Sequence, residues 1–502
     1  MNSTKIVGVV CEKTVDAAVQ CMQASQHMVD LFELRLDFLA DIFEDISFSA
    51  FSQLVASAPL PLIIANRTKC DGGQFCGNET TRIAFLHKAL ELNVAYIDLE
   101  FSLPTTTIQD FIVAKKAKKT KIILSYHNLN ETPSSGKLTE LYYSMKKCCP
   151  DLIKIVTFAQ SINDVFTTFC LLRNKKNLIA FCTGQRGTIS RILCKKYGSV
   201  FTYGSLSKQN PVIGMINIRD MISSYNLSMI NPKTKVYGII SQYPEHSLSP
   251  HMYNALFRRK KTNAVFLPFK VSPNELPVFM KHFHECGFAG ASVTIPNKIA
   301  LFKYLDHVDG VACTIGAVNT VVNKNSKFIG YNTDWCGALQ ALKYITVLRG
   351  KTVLVFGAGG AAHAVVYGLT IEGAQVTIID RTPEKAELLA KKFKTAVVPK
   401  DSMKEAVAAH DIIVNATSVG MLPHDDESLL TTDDFVLGKI VMDVVYQPLL
   451  TKFLRLAQQS GCQIITGEIM FIHQAIAQVR LLTGQNITFH EAQNFFNRFY
   501  HD

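Results

Sequence analysis

The chain reads as α/β throughout, in two unlike halves joined at one seam. Three observations predict this. Short, β-branched apolar runs alternate with helical stretches from Lys5 to about residue 225. The stretch Asn226-Leu-Ser-Met-Ile-Asn-Pro-Lys-Thr-Lys235 then shows neither strand alternation nor a helical apolar face, and reads as a connector. Beyond it the alternation restarts with Val236–Ile240. Further on, the apolar strand Lys351–Phe356 runs directly into the glycine turn Gly357-Ala-Gly-Gly-Ala-Ala362 and a helix.

The bulk numbers exclude several classes. With 502 residues, 48% of them hydrophobic, a large core can be buried. The formal charge of +11 is spread along the chain, and its densest runs, Lys115–Lys121 and Arg258–Lys261, are short. No nucleic-acid-binding motif accompanies them, so small anionic substrates are expected and nucleic acid is not. The thirteen cysteines include no C-x-x-C, and no signal-peptide pattern is evident, which points to reduced thiols in a cytoplasm. No zinc-type spacing appears, and His282 and His284 read as solvated helix histidines, so no metal is expected. Thr352–Ile371 lacks Asp, Glu, Lys and Arg over a membrane-spanning length. Its four glycines and His363 instead predict a strand, a turn and a buried helix, so no membrane span is expected.

In the first half the strands expected are Lys5–Val10, Val29–Leu36, Leu62–Asn66, Ala95–Leu99, Lys121–Ser125, Leu152–Thr157, Leu178–Cys182 and Val200–Tyr203. The gaps hold helices such as Val15–His27 and Glu79–Leu92. Eight strand–helix units in this length suit a (β/α)8 TIM barrel, typically ~250 residues, with a doubly wound open sheet as the alternative. Barrel chemistry sits at the C-terminal strand ends. Those ends carry Glu33, Arg35, Arg67, His127 and Lys154, with Arg191 just past the seventh strand. Lys154 interrupts an otherwise apolar strand. Burial would leave it a neutral amine able to attack a carbonyl, whereas an ion-paired lysine is the alternative. His127 ends the preceding strand and could act as a base on the same carbonyl compound. Three arginines suit an anionic, hydroxyl-rich substrate.

Phe32-Glu-Leu-Arg-Leu-Asp37, Asn66-Arg-Thr68 with Gly72-Gly73, Tyr96-Ile-Asp-Leu-Glu100, Ser125-Tyr-His-Asn128, Asp151-Leu-Ile-Lys-Ile155 and Thr183-Gly-x-x-Gly-x-x-Ser-Arg191 follow one another in order. Together they resemble type I 3-dehydroquinate dehydratase across residues 1–225. The resemblance implies a Schiff base on Lys154, proton transfer by His127, and substrate binding by Glu33, Arg35, Arg67 and Arg191. Two positions depart from the family pattern. Asp71 stands where a Glu is usual, and Gly214-Met215 stands where a Gly-Gln pair is usual.

After the connector (226–235), Pro244-Glu-His-Ser-Leu-Ser-Pro-His251 places Ser247 and Ser249 ahead of a helix. Hydroxyls there can bind a carboxylate or simply cap the helix. Val293-Thr-Ile-Pro-Asn-Lys298, Ile315-Gly-Ala-Val-Asn-Thr320 and Gly330-Tyr-Asn-Thr-Asp334 add polar groups at strand ends. The glycine turn meets a second strand, Gln375–Ile379, about twenty residues on, and Asp411–Ala416 and Ile440–Val445 are further buried strands. With Asn415-Ala-Thr-Ser-x-Gly-Met421 and Gly467-x-x-Met-x-x-x-Gln474, these blocks resemble shikimate dehydrogenase. The resemblance implies a shikimate-binding domain (236–334), a Rossmann-type NADP-binding domain (335–484) and a tail helix (485–502) folding back on the substrate domain. Ser247 and Ser249 would bind the carboxylate, Thr294, Asn319, Asp334 and Gln474 the ring hydroxyls, and Lys298 with Asp334 would form the catalytic pair.

Gly357, Gly359, Gly360 and Ala362 form the expected cofactor turn. Asp380, Arg381, Thr382 and Lys385 would lie near the adenine ribose. Asp380 favours NAD, whereas Arg381, Thr382 and Lys385 favour NADP. NADPH is expected, provided that Asp380 turns toward solvent. The two resemblances imply a bifunctional enzyme taking 3-dehydroquinate through 3-dehydroshikimate to shikimate. A metabolite-sensing regulator with the same folds is the rival. It would be expected to lose Lys154, His127, Lys298 or Asp334, and all four are present. A quinate-directed dehydrogenase is the second rival, and the set Ser247, Ser249 and Thr294 argues against it.

Overall fold

The computed structural model describes residues 4–39, 47–206 and 213–501. The chain divides into two compact units, Met1–Lys235 with Phe257–Leu267, and Val236–Leu256 with Pro268–Asp502.

Among the described residues, the first unit holds eight strands: β1 (Lys5–Val10), β2 (Leu31–Arg35), β3 (Leu62–Ala65), β4 (Tyr96–Glu100), β5 (Lys121–His127), β6 (Leu152–Phe158), β7 (Leu178–Thr183) and β8 (Phe201–Ser205). They run in the order β7-β6-β5-β4-β3-β2-β1-β8. Every registered pair is parallel, and at the junction of β8 with β7 the Val200 N–H donates to the Leu178 carbonyl. This is the barrel rather than the open sheet. Its strands are buried on both faces, which is why they read as apolar runs without alternation. Helices begin where side chains can cap them, at Thr14, Ser47, Asn78, Ser134 and Ser161.

The period of two then sorts the barrel interior into layers. Leu31, Ile63, Ile123 and Leu152 pack in an apolar floor with Val7, Phe201 and Tyr203. Two and four residues further along the same strands, the same face presents Glu33 and Arg35, Ser125 and His127, and Lys154. An apolar layer below and an ionisable layer above follow from one register. The stretch expected as a plain connector is a packed strap. Asn226 is left-handed, Leu227–Met229 is a 3-10 turn, and Leu227 and Ile230 are buried. Lys195 Nζ donates to the Leu227 carbonyl at 3.1 Å.

A six-stranded sheet is formed by β9 (Lys235–Ser241), β10 (Ala264–Lys270), β11 (Gly290–Val293), β12 (His307–Val308), β13 (Thr320–Lys324) and β14 (Lys327–Tyr331), in the order β10-β9-β11-β13-β14-β12. A second sheet holds β15 (Thr352–Phe356), β16 (Gln375–Ile379), β17 (Ala396–Val397), β18 (Ile412–Asn415), β19 (Ile440–Asp443) and β20 (Gln463–Ile465). Its order, β17-β16-β15-β18-β19-β20, is the doubly wound 3-2-1-4-5-6 arrangement. Alternate residues feed two cores, Val353 and Val355 on one face and Leu354 and Phe356 on the other. The charge-free stretch Thr352–Ile371 is strand β15 followed by the helix Gly360–Ile371, as its glycines predicted. No helix among the described residues is long and apolar enough to cross a membrane. The tail helix Phe489–His501 packs on the helix Gly467–Thr483, with Phe496 against Phe471 and Tyr446.

Candidate active sites

The barrel mouth is a closed ionic cluster. Lys154 Nζ donates to Glu33 Oε2 at 2.8 Å and to Asp98 Oδ2 at 3.1 Å. Asp98 also accepts from Arg67 Nη2 at 2.5 Å and from Ser125 Oγ at 2.5 Å. Arg67 Nη1 reaches His127 Nδ1 at 3.0 Å. The Tyr203 ring lies under Lys154 Nζ, 4.1 Å from its centroid. Burial would raise the Asp98 pKa, but Arg67 and Lys154 outweigh it and hold the carboxyl below its ordinary value. Burial, reinforced by Arg67, Lys154, Arg35 and Arg191, pushes His127 well below the ordinary histidine range, so its ring is neutral. Burial did not isolate Lys154 as the sequence reading supposed, because two carboxylates hold it in ion pairs.

The three arginines differ. Arg35 is clamped bidentately by Asp37, at 2.9 and 2.7 Å, and Arg67 is held by Asp98. Arg191 is 1% exposed and lies over the Phe181 ring, and its Nη1 donates to the Tyr203 carbonyl at 3.3 Å. No carboxylate pairs with it among the described residues, and its Nε has no partner. Burial lowers its pKa to about 10. A buried, unpaired guanidinium is costly and fits an incoming anion. Asp71 does not join the cluster. Its carboxyl accepts from Ser102 Oγ at 2.8 Å. Met215 packs into the barrel's apolar interior with Tyr203 and Phe181.

The second unit holds an open cleft lined by Ser247, Ser249, Thr294, Lys298, Asp334 and Gln474, among others. Lys298 Nζ donates to Asp334 Oδ2 at 2.5 Å. Asn319 Nδ2 donates to Asp334 Oδ1 and to Thr333 Oγ1, both at 2.8 Å. Asp334 opens the helix Asp334–Lys343, where an acid is favoured by the helix dipole. Gln474 Nε2 donates to the Phe471 carbonyl at 3.0 Å. The Ser249 N–H donates to Ser247 Oγ at 3.2 Å, so the capping reading holds for Ser247 in part. Tyr446 lies within hydrogen-bond reach of Ser247, and burial raises its pKa to about 12.

The glycine turn approaches this cleft. Gly357 has φ +111°, a conformation that needs glycine. A Cβ on Gly360 would sit 2.9 Å from Lys298 Cβ, so only glycine lets the turn pass this lysine. A Cβ on Gly359 would meet nothing within 4 Å. The N-cap of the helix Gly360–Ile371, Gly359, therefore faces open space and carries no side-chain cap, as a phosphate site requires. Ala362 is buried in that helix. Asp380 does not face solvent. Its two oxygens accept from Ala358 N and Thr382 N, each at 2.8 Å, so it braces the turn. Arg381 and Lys385 are exposed, and the helix Pro383–Phe393 also starts without a side-chain cap at Thr382.

Family models match both units. Type I 3-dehydroquinase covers residues 6–232, shikimate dehydrogenase substrate binding domain covers 239–321, and shikimate / quinate 5-dehydrogenase covers 340–427. A chloroplastic bifunctional 3-dehydroquinate dehydratase/shikimate dehydrogenase of Arabidopsis thaliana is 35% identical, across 96% of this chain and 82% of that protein. The chain belongs to this bifunctional family. The shikimate biosynthesis protein AroDE of Chlamydia pneumoniae is 30% identical across 96% of this chain and 95% of that protein. A crystal structure of shikimate dehydrogenase from Aquifex aeolicus has 39% identity and a TM-score of 0.50, covering 53% of this chain and 98% of that one. The barrel is thus the dehydratase half and the second unit the dehydrogenase half.

Within that family frame, Glu33, Arg67, His127 and Lys154 form one bonded cluster, with Arg35 and Arg191 in its field. Lys298, Asn319 and Asp334 form another, with Thr294 and Gln474 on the same cleft. Sequence reasoning passed over Asp98, the hub of the barrel cluster. Its signal was the one that exposed Lys154, an ionisable residue inside an apolar strand. It also missed Ser125, Tyr203 and Gln478. Gln478 accepts from Ser292 Oγ and donates to the Asn319 carbonyl, each at 3.0 Å, and so braces a cleft residue from behind.

Proposed function

We propose that the barrel dehydrates 3-dehydroquinate to 3-dehydroshikimate through a Schiff base on Lys154, and that the second unit reduces this product to shikimate with NADPH. The observation that carries the first half is a lysine amine bonded to two carboxylates beside a neutral histidine, with an unpaired arginine in the same mouth. Arg191 takes the substrate carboxylate, and Glu33 or Asp98 receives the proton that frees Lys154 for attack on the ketone. Loss of water from the carbinolamine leaves an iminium, which withdraws electrons from the adjacent C–H. His127 takes that proton and returns it to the departing hydroxyl, which leaves as water; hydrolysis of the remaining imine by water then releases 3-dehydroshikimate and restores the Lys154 amine.

In the second unit, Lys298 and Asp334 hold the reacting oxygen, and Lys298 supplies its proton. NADPH, when bound, supplies the hydride. Ser247, Ser249 and Tyr446 suit the carboxylate, and Thr294, Asn319 and Gln474 suit the ring hydroxyls. The uncapped helix starts at Gly360 and Pro383, with Arg381 and Lys385, suit the pyrophosphate and a 2′-phosphate. Small carboxylates are then the partners. A cytoplasmic setting is supported by thirteen cysteines with no disulfide among the described residues.

Borohydride added during turnover of 3-dehydroquinate tests the reading. Mass spectrometry should find a reduced adduct on Lys154. An unmodified Lys154 under saturating substrate would sink the Schiff-base assignment.

A further inference from the structure

An arginine can only donate hydrogen bonds. Arg67 Nη1 lies 3.0 Å from His127 Nδ1, so Nδ1 must present its lone pair to the guanidinium. Arg67 is not a loose side chain. It is 3% exposed, and its Nη2 is fixed on Asp98 at 2.5 Å. No carboxylate contacts His127 among the described residues. Asp71, the nearby motif acid, is bonded to Ser102 instead. Nothing therefore draws the ring proton to Nδ1. Burial and the surrounding cations Arg67, Lys154, Arg35 and Arg191 keep the ring from taking a second proton. A neutral ring with its proton on Nε2 and its Nδ1 covered can donate but cannot accept.

We propose that Arg67 masks the base nitrogen of His127 in the unliganded enzyme, fixing the Nε2–H tautomer, and that the substrate unmasks it. The inference rests on His127 being the base proposed above. A substrate hydroxyl entering the mouth offers Arg67 Nη1 an oxygen acceptor that competes with the imidazole nitrogen, while the carboxylate goes to Arg191. Transfer of that one bond exposes Nδ1. The C–H electron pair then moves into the iminium while its proton goes to Nδ1. The resulting imidazolium later gives a proton to the leaving hydroxyl. Arg67 is thus a positioning residue for the base, and the base is armed only when ligand is present.

The test is nitrogen NMR on the full chain carrying labelled histidine, with His127 assigned by difference against His127→Gln. In the unliganded wild type, Nε2 should be pyrrole-like and Nδ1 pyridine-like with a hydrogen-bond shift, and any imidazolium should appear only well below the ordinary histidine range. Saturation with 3-dehydroshikimate, the dehydration product, should remove the hydrogen-bond shift at Nδ1. Arg67→Met should remove it without ligand and let both tautomers populate. An Nδ1–H signal in the unliganded wild type would overturn the proposal, as would an Nδ1 signal unmoved by product. These readouts do not depend on turnover. Failure of the underlying base assignment shows separately, as near-normal dehydration by His127→Ala.

Discussion

The two active sites spend charge in opposite ways. In the barrel, Lys154, Glu33, Asp98 and Arg67 are all buried and bonded into one network. In the dehydrogenase cleft one ion pair, Lys298–Asp334, is surrounded by uncharged amides and hydroxyls. The difference follows from where each reaction finds its electrons. In the proposed mechanism the barrel makes its electron sink from its own lysine, and its ionisable groups are assembled in advance. The cleft borrows its hydride from a cofactor, so its residues mainly hold and orient. Removing one member of a buried ionic network costs about 3–5 kcal/mol, because the partners remain buried. Removing an uncharged hydrogen bond costs about 1 kcal/mol.

The largest expected effect tests the independence of the two sites. Lys154→Ala should bring dehydration below detection while leaving shikimate oxidation by the same protein unchanged. Separate assays of the two half-reactions measure this. A parallel loss of both activities would mean that the sites are not separate.

A smaller effect is expected in the cleft. Lys298→Ala and Asp334→Asn should each lower dehydrogenase turnover by roughly 10²–10⁴-fold, the range for a positioned acid or base, and spare dehydration. If Lys298→Ala changes KM alone, the lysine binds substrate and does not move the proton.

Cofactor choice sharpens the comparison, because here the cleft side does depend on charge. Arg381→Ala should weaken NADPH by about 10–150-fold, the loss of a charge-assisted bond of ~1.5–3 kcal/mol, with NADH little changed. Asp380→Asn puts an amide N–H against one of two backbone donors, so it should weaken both cofactors alike. Selective tightening of NADPH in that variant would show that the carboxylate faces the ribose and is no brace.

The last effect is on stability and not on activity, and concerns Asp443, an acid of the second unit whose buried oxygens meet three uncharged donors. These are Asn415 Nδ2, Val445 N and Thr451 Oγ1, at 3.0, 2.9 and 2.7 Å. The charged residues on the adjoining helix, Lys452 and Arg455, bond the carbonyls of Asp426 and Leu450 instead. Burial raises the Asp443 pKa to about 7. The fold thus favours the protonated acid. That stability is fully present below the ordinary carboxylate range and is lost as pH rises through 7, on the order of 4 kcal/mol at most. Thermal unfolding of the full chain should show stability falling between about pH 4 and 7, with a flatter profile in Asp443→Asn. Parallel pH profiles in the two proteins would remove Asp443 as the cause.

Much of this molecule was determined by local sequence. Runs of apolar β-branched residues placed all eight barrel strands to within a few residues. The glycine turn after Lys351–Phe356 located the cofactor fold, because a tight turn into a helix needs those glycines wherever it occurs. Residues such as Lys154, His127, Lys298 and Asp334 stood out because polar groups at those positions are expensive to bury without a use. Tertiary structure alone decided what each group meets. Lys154 and Glu33 are 121 positions apart, so no local pattern could show that two carboxylates hold the amine. Asp380 and the backbone it braces were likewise close in motif and ambiguous in direction, and only the folded turn aimed the carboxyl inward. Arg191 was one of three equivalent arginines in the sequence. Packing gave Arg35 and Arg67 their acids and left Arg191 with a carbonyl, because partners are assigned by closure of the barrel and not by spacing along the chain.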